Sequence, residues 1–381
     1  MRVAILHDYL NQFGGAERVL KVILELFPDA DLYTLLYDEG KTRGLFRGRV
    51  TKTSFLDIPF IRNHHRAFIP LMPFAAQILR SRENPYDLVV SSTAGYGKGI
   101  GVRGAFHVSY CHSPLRYAWE IDYLKNLPFS PGPLSRGSLR PIARWLARWD
   151  YRTAQGVNLF MTNSYHIAKK INSYYGRESV VVHPPVDLEK FYYEPQSSRL
   201  RTATDGQAKL KAESYYLMVG RLLYYKRFDL GIQAFNHLRK PLLVIGAGPE
   251  MKKLKALNRS PQTKFLSDVS DGDLREYYAH ARALLFPQIE DFGLVAAEAQ
   301  ACGCPVIAYR EGGAPEIVEN KKTGVLFSAQ TPEALMEAIR TFENLSWNRA
   351  AIARRAARFS KETFKRKFCE ALRSAGVALS P

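Results

Sequence analysis

The stretch "ARALLFPQIEDFGLVAAEAQACGCPVIAY" (residues 281–309) contains a strand, a loop, a helix and a second strand in that order. Its apolar runs at 281–287 and 304–309 do not alternate with polar residues, as is typical of parallel strands buried on both faces. Between them we predict a helix that begins near Gly293, runs to Ala301 and ends at Gly303, a residue suited to the C-cap. The stretch therefore predicts a βαβ unit.

The same alternation of short apolar runs with helical segments continues on both sides of this unit. It predicts an α/β protein with two doubly wound domains that face a central cleft, where ligands bind outside the carboxyl ends of the strands. The other predicted strands cover residues 2–7, 86–92, 106–112, 157–164, 179–185, 215–222, 241–248 and 263–268.

A chain of 381 residues is too long for one ordinary core and suits two domains. The polar stretch 193–213 lacks apolar periodicity and is predicted to link an N-terminal domain, 1–192, to a C-terminal domain, 214–355. Residues 347–376 have a helical period, with Phe359 and Phe364 on the apolar face. We expect the C-terminal helix, 356–381, to pack back on the N-terminal domain.

Composition narrows the class of protein. The net charge is +18, spread about equally over both halves of the chain, which favours general attraction to anions over a nucleic-acid groove. The four cysteines have no metal-site or disulfide spacing, no apolar run is long enough to span a membrane, and the first residues lack the features of a signal peptide. A cytoplasmic protein is expected.

Two acids lie in the opening stretch, Glu290 and Glu298. On one helix they would be about 12 Å apart along its axis, too far for the paired carboxylates of a glycoside hydrolase. We interpret Glu290 as a loop residue and Glu298 as a helix residue, which together accept hydrogen bonds from hydroxyls at the two ends of a long ligand. The alternative is one helix-terminal acid and one solvated acid.

Two cations follow a predicted strand end in "VGRLLYYKRFD" (219–229). Arg221 and Lys226 on one short loop suit a diphosphate, although ordinary surface charge is an equal alternative. The nearby "IGAGPEMKKL" (245–254) lacks the third glycine of the dinucleotide fingerprint, so an NAD-dependent oxidoreductase is disfavoured.

In the N-terminal half, Gly14 and Gly15 open a predicted helix after the first strand and could bring backbone amides to a phosphate. His112 follows the strand at 106–112. A lone histidine is more often structural than catalytic, but its place at a carboxyl strand end makes both interpretations open.

These segments together resemble glycosyltransferase family 4, retaining enzymes of the GT-B fold, over nearly the whole length. The chain is most similar to transferases of bacterial surface-polysaccharide assembly, several of them mannosyltransferases. One departure is Arg227, which stands where a glycine is commoner. The resemblance is carried in order by "GGAER", "YCHSPLRYAWE", "TNS", "HPPVD", "VGRLLYYKRFD", "GAGPE", "EDFGLVAAEA" and "EGGAPEIVENKKTGVLF".

The resemblance implies a role for each matching residue. Arg221 and Lys226 would neutralise the diphosphate of a nucleotide sugar, Glu298 would hold the ribose, and Glu290 would hold the donor sugar. In the N-terminal half, Gly14 and Gly15 would offer backbone amides to the phosphates, and His112 would lie beside the anomeric carbon. The donor site would also include Val269, near the base, and Phe292, Gly293 and Leu294.

The implied activity is metal-independent transfer of a hexose, with retention, from a nucleotide sugar to a glycan or lipid-linked glycan. UDP-glucose and GDP-mannose are both credible donors, and no separate cofactor is expected. Two cations aimed at the leaving diphosphate would make a metal ion unnecessary. The alternatives are a nucleotide-sugar epimerase of the same fold and, in another class, a basic nucleic-acid-binding protein.

Two basic, aromatic segments remain, residues 55–79 and a helix predicted to begin at Pro141 and end at Gly156. Arg144, Arg148 and Arg152 recur every four residues on that helix, beside Trp145 and Trp149. One interpretation is a peripheral contact with the anionic inner face of a membrane. The other is a core-packed helix whose arginines extend to solvent.

Overall fold

A computed structural model describes residues 1–79, 86–100, 104–120, 136–195 and 214–379, with the side chains of 136–139 excepted. The chain divides into two compact units: unit 1 comprises residues 1–185 and 364–381, and unit 2 comprises residues 186–363.

Every sheet pairing among the described residues is parallel. The described strands of unit 1 are β1 (Val3–Leu10), β2 (Asp31–Tyr37), β3 (Val50–Thr53), β4 (Leu88–Thr93), β5 (Phe106–Cys111), β6 (Leu159–Thr162) and β7 (Val180–Val181). Those of unit 2 are β8 (Tyr216–Val219), β9 (Leu242–Ile245), β10 (Thr263–Leu266), β11 (Ala283–Phe286), β12 (Val306–Tyr309) and β13 (Gly324–Phe327).

Helices connect these strands, as a parallel sheet requires. The described helices of the first part of the chain are α1 (Gly15–Leu26), α2 (Pro59–His64), α3 (Met72–Ile78), α4 (Arg116–Trp119), α5 (Arg136–Gln155) and α6 (Tyr165–Tyr175). The others are α7 (Phe228–Leu238), α8 (Met251–Leu257), α9 (Asp271–His280), α10 (Leu294–Ala301), α11 (Ala314–Ile317), α12 (Pro332–Glu343), α13 (Arg349–Ala356) and α14 (Lys361–Ser374).

Strand order places a topological switch point in each sheet. The order in unit 1 is β3-β2-β1-β4-β5-β6-β7, so the sheet extends in opposite directions from the β1–β4 pair. The order in unit 2 is β10-β9-β8-β11-β12-β13, and there the reversal falls between β8 and β11. Ligands of doubly wound sheets bind at the carboxyl ends of the strands beside such a point.

All the strands predicted from the sequence are present, and the βαβ unit of residues 281–309 is confirmed as β11, α10 and β12. Three strands were not predicted: β2, β3 and β13. The last two are four-residue strands at sheet edges. β3 has no buried residue and therefore lacks the apolar run that identifies a covered strand, whereas the apolar run of β13 is short.

The boundary between the units differs from the predicted one. Residues 186–192 belong to unit 2, because Val186 donates its amide to the carbonyl of Phe359 at 2.7 Å and the ring of Phe191 packs against Tyr278. Of the predicted linker 193–213, residues 196–213 lie outside the described residues.

The C-terminal helical segment is broken at Ser360, which separates two cores. Ala356 and Phe359 are buried with unit 2, whereas Phe364 and Phe368 on α14 are buried with unit 1 and pack against Tyr110. From residue 364 the chain therefore completes the core of unit 1.

The prediction that a helix begins at Pro141 was wrong, because α5 begins at Arg136 and carries Pro141 inside it. A proline removes only its own N–H from the helix, and a position close to the N-terminus limits that loss. No described helix is long and apolar enough to cross a membrane.

Candidate active site

The cationic loop of unit 2 follows β8 directly, at the switch point. Gly220 has a φ of 148°, Arg221 is exposed, and a short 3-10 turn carries Lys226. Backbone bonds tie this loop to the next one along the edge, from the Gly220 amide to the Ile245 carbonyl at 3.0 Å and from the Leu222 amide to the Ala247 carbonyl at 2.9 Å. Arg221 and Lys226 thus extend from a braced loop.

The glycines of the "GAGPE" segment make this bracing possible. A Cβ on Gly246 would lie 1.9 Å from the carbonyl oxygen of Gly220, and one on Gly248 would lie 2.4 Å from that of Leu222. The close approach is between two protein loops. These glycines therefore have a structural explanation that does not require a dinucleotide.

Glu290 follows β11, the strand next to β8. Its carboxylate accepts a hydrogen bond from Gln288 at 3.3 Å and forms an ion pair with the ammonium group of Lys226. The two charged side chains are only 14% and 18% exposed, so the pair is shielded from water. The structure therefore brings together Lys226, which the resemblance assigns to the diphosphate of the donor, and Glu290, which it assigns to the donor sugar.

Two glycines after β12, in the "EGGAPE" segment, support the loop that carries Glu290. The Gly313 amide donates to the Glu290 carbonyl at 2.8 Å. A Cβ on Gly312 would lie 2.4 Å from that same carbonyl oxygen, and one on Gly313 would lie 2.4 Å from the Cα of Phe292. Sequence analysis had given these glycines no role, although their adjacency in the motif was a usable signal of close backbone packing.

Helix α10 begins where predicted. Gly293 is its N-cap, with a φ of 107°, and a Cβ there would lie 2.9 Å from the ring of Phe286. Glu298 is more than one turn inside the helix and only 4% exposed. A buried carboxylate is costly without hydrogen-bond donors around it, and few helical positions tolerate one.

The neighbours of Gly293 differ in exposure. Phe292 is 3% exposed and its ring packs against Phe359 in the unit 2 core, so any contact with a ligand would come from its backbone. Leu294 is half-buried at the first position of α10. Val269, also half-buried, lies in the loop after β10 at the same sheet edge and packs against the core.

Arg227 adopts the left-handed conformation, with a φ of 53°, immediately before α7. This explains why a glycine suits the position, since a left-handed residue with a side chain is strained. The guanidinium group contacts Asp229 at 3.3 Å and the Gln330 side-chain oxygen at 3.4 Å. Gln330 in turn donates to the Pro287 carbonyl at 2.7 Å, which links the loops after β8 and β11.

In unit 1, Gly14 and Gly15 lie at the start of α1, after β1. Gly14 is the N-cap and donates its amide to the carboxylate of Glu17 at 2.7 Å, while Gly15 is exposed. Glu17 is 2% exposed. The amide of Gly14 is thus engaged by the helix, and Gly15 stands at the exposed N-terminal end.

His112 follows β5 and is half-buried at the carboxyl edge of the unit 1 sheet. Its Nε2 lies 2.9 Å from the Ser92 hydroxyl, and its ring packs edge-on against Tyr110. Asp8, at the same edge, accepts hydrogen bonds from the Ala94 and Gly97 amides at 2.7 and 2.6 Å and thereby orders the loop after β4. Sequence analysis missed Ser92 and Asp8, although Asp8 lies in the strand that leads to the glycine loop at Gly14 and Gly15.

No group of three or more His, Cys, Asp or Glu side chains suitable for a metal ion occurs in the part of the chain that the structure describes. The expectation of metal independence stays a prediction.

Two doubly wound units, each with chemistry-bearing residues at its switch point, define the GT-B class of glycosyltransferase folds. Residues 13–190 match the family model "Glycosyltransferase Family 4", and residues 202–361 match "Glycosyl transferases group 1". The chain therefore belongs to glycosyltransferase family 4, as the sequence motifs had suggested.

Curated relatives include D-inositol 3-phosphate glycosyltransferases of Mycobacterium tuberculosis and Mycobacterium bovis, each 30% identical over 318 residues. The match covers 77% of this chain, which spans 63% of the length of those relatives. Similar solved structures include Anabaena HepE in complex with UDP, at 21% identity and a TM-score of 0.73, over 98% of this chain and 100% of that one. Sucrose-phosphate synthase of Thermosynechococcus elongatus is similar at 18% identity and a TM-score of 0.70, over 98% and 99%.

Proposed function

We propose that the protein is a retaining glycosyltransferase, which moves a hexose from a nucleotide sugar to a glycan or lipid-linked glycan. The observation that carries the proposal is the arrangement at the unit 2 switch point, where Arg221 and Lys226 follow β8 and Glu290 follows the adjacent β11. Cations suit a diphosphate, and shielded carboxylates suit the hydroxyls of a sugar and a ribose.

The mechanism follows from where charge develops. Negative charge grows on the nucleoside diphosphate as it leaves, and fixed cations at Arg221 and Lys226 stabilise it there. Glu290 holds hydroxyls of the donor sugar, and Glu298 holds those of the ribose. In unit 1, Gly15 is assigned to a phosphate and His112 to the reacting sugar. The departing phosphate helps to deprotonate the acceptor, so no enzymic nucleophile is required.

The choice of donor is tested first by ligand stabilisation. HepE, a structural neighbour, has been crystallised with UDP-glucose, which makes that donor the first candidate beside GDP-mannose. A donor at one hundred times its dissociation constant should raise the free energy of unfolding by about 2.7 kcal/mol. Transfer to a glycan acceptor without added metal, unchanged by EDTA, is the expected activity. Formation of an epimerised donor in the absence of acceptor would support the epimerase instead. A melting temperature raised only by nucleic acid would support neither enzyme.

The cationic loop is tested with Lys226→Ala. Loss of one charge-assisted contact should weaken nucleoside diphosphate binding by about 1.5–3 kcal/mol, or roughly 10- to 150-fold, and leave nucleoside binding almost unchanged. Lys240→Ala is the matched control, because Lys240 also forms a partly buried ion pair, with Glu343, but precedes β9 at the amino end of the strands. Equal weakening of both ligands by Lys226→Ala would contradict a phosphate role.

We further propose that unit 1 contacts an anionic membrane surface, where a lipid-linked acceptor would be met. Support comes from the exposed rings of Phe74 and Trp145, which stack with centroids 5.8 Å apart and so join α3 to α5. Arg144 and Arg148 are exposed on α5 next to this pair, while Trp149 packs inward against Tyr96. The helix therefore combines a core-packed face with an exposed basic and aromatic face.

Vesicle flotation tests this contact. Each Lys or Arg near an anionic surface contributes about 1 kcal/mol, so Arg144→Glu with Arg148→Glu should reduce binding strongly, and salt should reduce binding of the unaltered protein. Lys252→Glu with Lys255→Glu, on exposed positions of α8 in unit 2, makes the same change of charge and should have little effect. Binding that survives both the α5 reversal and high salt would overturn the electrostatic account.

A further inference from the structure

A row of four contacting side chains, Glu17, His7, Ser92 and His112, crosses the switch point of unit 1. We call it the imidazole chain. His7 on β1 lies opposite Ser92 on β4 in the sheet register, and its Nδ1 is 3.1 Å from the Ser92 hydroxyl. That hydroxyl is 2.9 Å from the Nε2 of His112. On its other side, the Nε2 of His7 lies 3.7 Å from the carboxylate of Glu17 on α1.

The imidazole chain is shielded from water along most of its length. His7 is 3% exposed, Glu17 is 2% exposed and Ser92 is fully buried. Burial opposes ionisation of Glu17, but the neighbouring His7 ring and hydrogen bonds from backbone amides outweigh it and lower the pKa of the carboxyl. Glu17 is therefore an anion that only accepts hydrogen bonds.

We propose that Glu17, His7 and Ser92 are positioning residues that hold the ring of His112 in one orientation and one tautomer for the transfer reaction. The proposal deepens the proposed function and rests on it for the role of His112.

The direction of each hydrogen bond follows from proton counting. The Glu17 carboxylate lies 3.7 Å from the His7 Nε2 and favours a proton on that nitrogen, so the neutral form of the ring has its lone pair on Nδ1. Ser92 donates its single hydroxyl proton to that lone pair. The Ser92 oxygen consequently accepts from His112, which places the proton of His112 on Nε2 and the lone pair on Nδ1.

The carboxylate of Glu17 also contacts the glycine loop at the start of α1. Glu17 accepts the Gly14 amide at 2.7 Å through Oε2, while its Oε1 faces His7. One buried carboxylate thus holds both the loop that presents Gly15 and the imidazole chain that ends at His112. A shift of α1 relative to β1 would therefore disturb both groups.

The sheet supplies a matched control in the neighbouring serine. Ser91 is also fully buried on β4, and its hydroxyl lies 3.0 Å from the Nε2 of a histidine, His107. Ser91 and Ser92 point to opposite faces of the sheet. Ser91 contacts His107 near the beginning of β5, whereas Ser92 contacts His112, which follows the end of β5. Ser92→Ala and Ser91→Ala each remove a buried hydroxyl that contacts the Nε2 of a histidine from the same strand, and only Ser92→Ala should affect His112.

The direct test is ¹⁵N NMR of the histidine rings in the whole protein, with the His112 signals assigned through a His112→Gln variant. We expect a single Nε2–H tautomer at His112 in the unaltered protein and in Ser91→Ala, and a mixture of tautomers in Ser92→Ala. Unchanged His112 signals in Ser92→Ala would overturn the proposal. If Ser92→Ala does not fold, the isosteric Glu17→Gln replaces it, with a changed His112 ring signal expected and an unchanged one counting against the chain.

Kinetics provide the second readout. Loss of the hydrogen-bond partner of a metal-bound imidazole costs about 10- to 100-fold, and we expect a loss of that order here. Ser92→Ala should lower kcat by that factor with the donor KM nearly unchanged, and Ser91→Ala should not. A Ser92→Ala effect confined to KM would contradict positioning of His112. The NMR result does not depend on turnover. Absence of transfer in the unaltered protein would therefore reject the proposed function without contradicting the contacts that orient His112.

Discussion

Arg227 is a single residue whose backbone and side chain have opposing effects on stability. Its φ of 53° is in the left-handed region, which costs a residue with a Cβ about 1–2 kcal/mol. Its contacts with Asp229 and Gln330, at 3.3 and 3.4 Å, are long and partly exposed, so they offset little of this backbone cost.

We predict that Arg227→Gly raises the free energy of unfolding by about 0.5–1 kcal/mol, after the entropic cost of a glycine in the unfolded chain is subtracted. Urea denaturation measures the change. Arg227→Ala is the control, since it loses the same contacts without relieving the backbone and should be no more stable than the parent. A glycine variant as unstable as the alanine variant would show that the left-handed backbone costs nothing.

His107 makes stability depend on pH. Burial, with a smaller contribution from the Lys98 charge, lowers the pKa of this histidine to about 4. In the unfolded chain its pKa is about 6.5, so as the pH falls from about 6.5 towards 4 the unfolded state binds a proton that the folded state does not. The stability provided by His107 is thus present above pH 6.5 and is lost through this window.

We predict that the stability difference between the parent and His107→Gln changes by about 2 kcal/mol between pH 7 and pH 5, with the parent losing more on acidification. Taking the difference between two proteins cancels the contribution of the carboxylates they share. Denaturant titrations of both proteins at the two pH values provide the measurement. If both proteins lost the same free energy of unfolding between pH 7 and pH 5, the pKa of His107 in the folded protein would not be lowered.

At the scale of elements, the loop after β8 is positioned by the loop after β9. The two backbones approach so closely that a Cβ on Gly246 would lie 1.9 Å from the Gly220 oxygen. One loop carries Arg221, and the other carries no residue assigned to the donor. The "GAGPE" segment therefore acts on the site by packing.

We predict that Gly246→Ala destabilises the protein by about 1–3 kcal/mol and also weakens nucleoside diphosphate binding, because the β8 loop must move to admit a methyl group. Gly272→Ala is the control, since the nearest atom to its added Cβ is 3.9 Å away and the residue lies in the first turn of α9. It should be neutral or slightly stabilising. Thermal unfolding and calorimetric titration with UDP or GDP report the two effects, and retained affinity in Gly246→Ala would contradict the bracing role.

At the scale of the whole molecule, two phenylalanines only nine positions apart complete different cores. Phe359 is 2% exposed in unit 2, and Phe368 is fully buried in unit 1. The boundary between the two units, after residue 363, thus lies within the C-terminal helical segment. The residues before it stabilise unit 2, and those after it stabilise unit 1.

We predict that Phe368→Ala and Phe359→Ala each cost about 3–5 kcal/mol, and that the loss falls on different units. Hydrogen exchange should accelerate in the strands of unit 1 for the first variant and in those of unit 2 for the second. Uniform acceleration over all strands in both variants would show that the two cores unfold as one.

The sequence by itself determined the fold class, most strand positions and the residues at the strand ends. Burial on both faces leaves a local mark, an unbroken apolar run, so β11 and β12 could be predicted without knowledge of their neighbours. The ends of α10 are equally local, because Gly293 and Gly303 adopt backbone angles that few other residues tolerate. Gly303 was predicted as the C-cap, but the C-cap is Cys302 and Gly303 is the left-handed residue that follows it. Edge strands such as β3 leave no such mark and were missed.

Strand order and side-chain pairing were decided only in the tertiary structure. Lys226 meets Glu290 because β8 and β11 are adjacent, and no period along the chain encodes that adjacency. His7, Ser92 and His112 come together for the same reason, through the β1–β4–β5 register. Local patterns specify which residues are buried and where a strand ends, whereas contacts across a sheet depend on which strands become neighbours, a property of the whole packed domain.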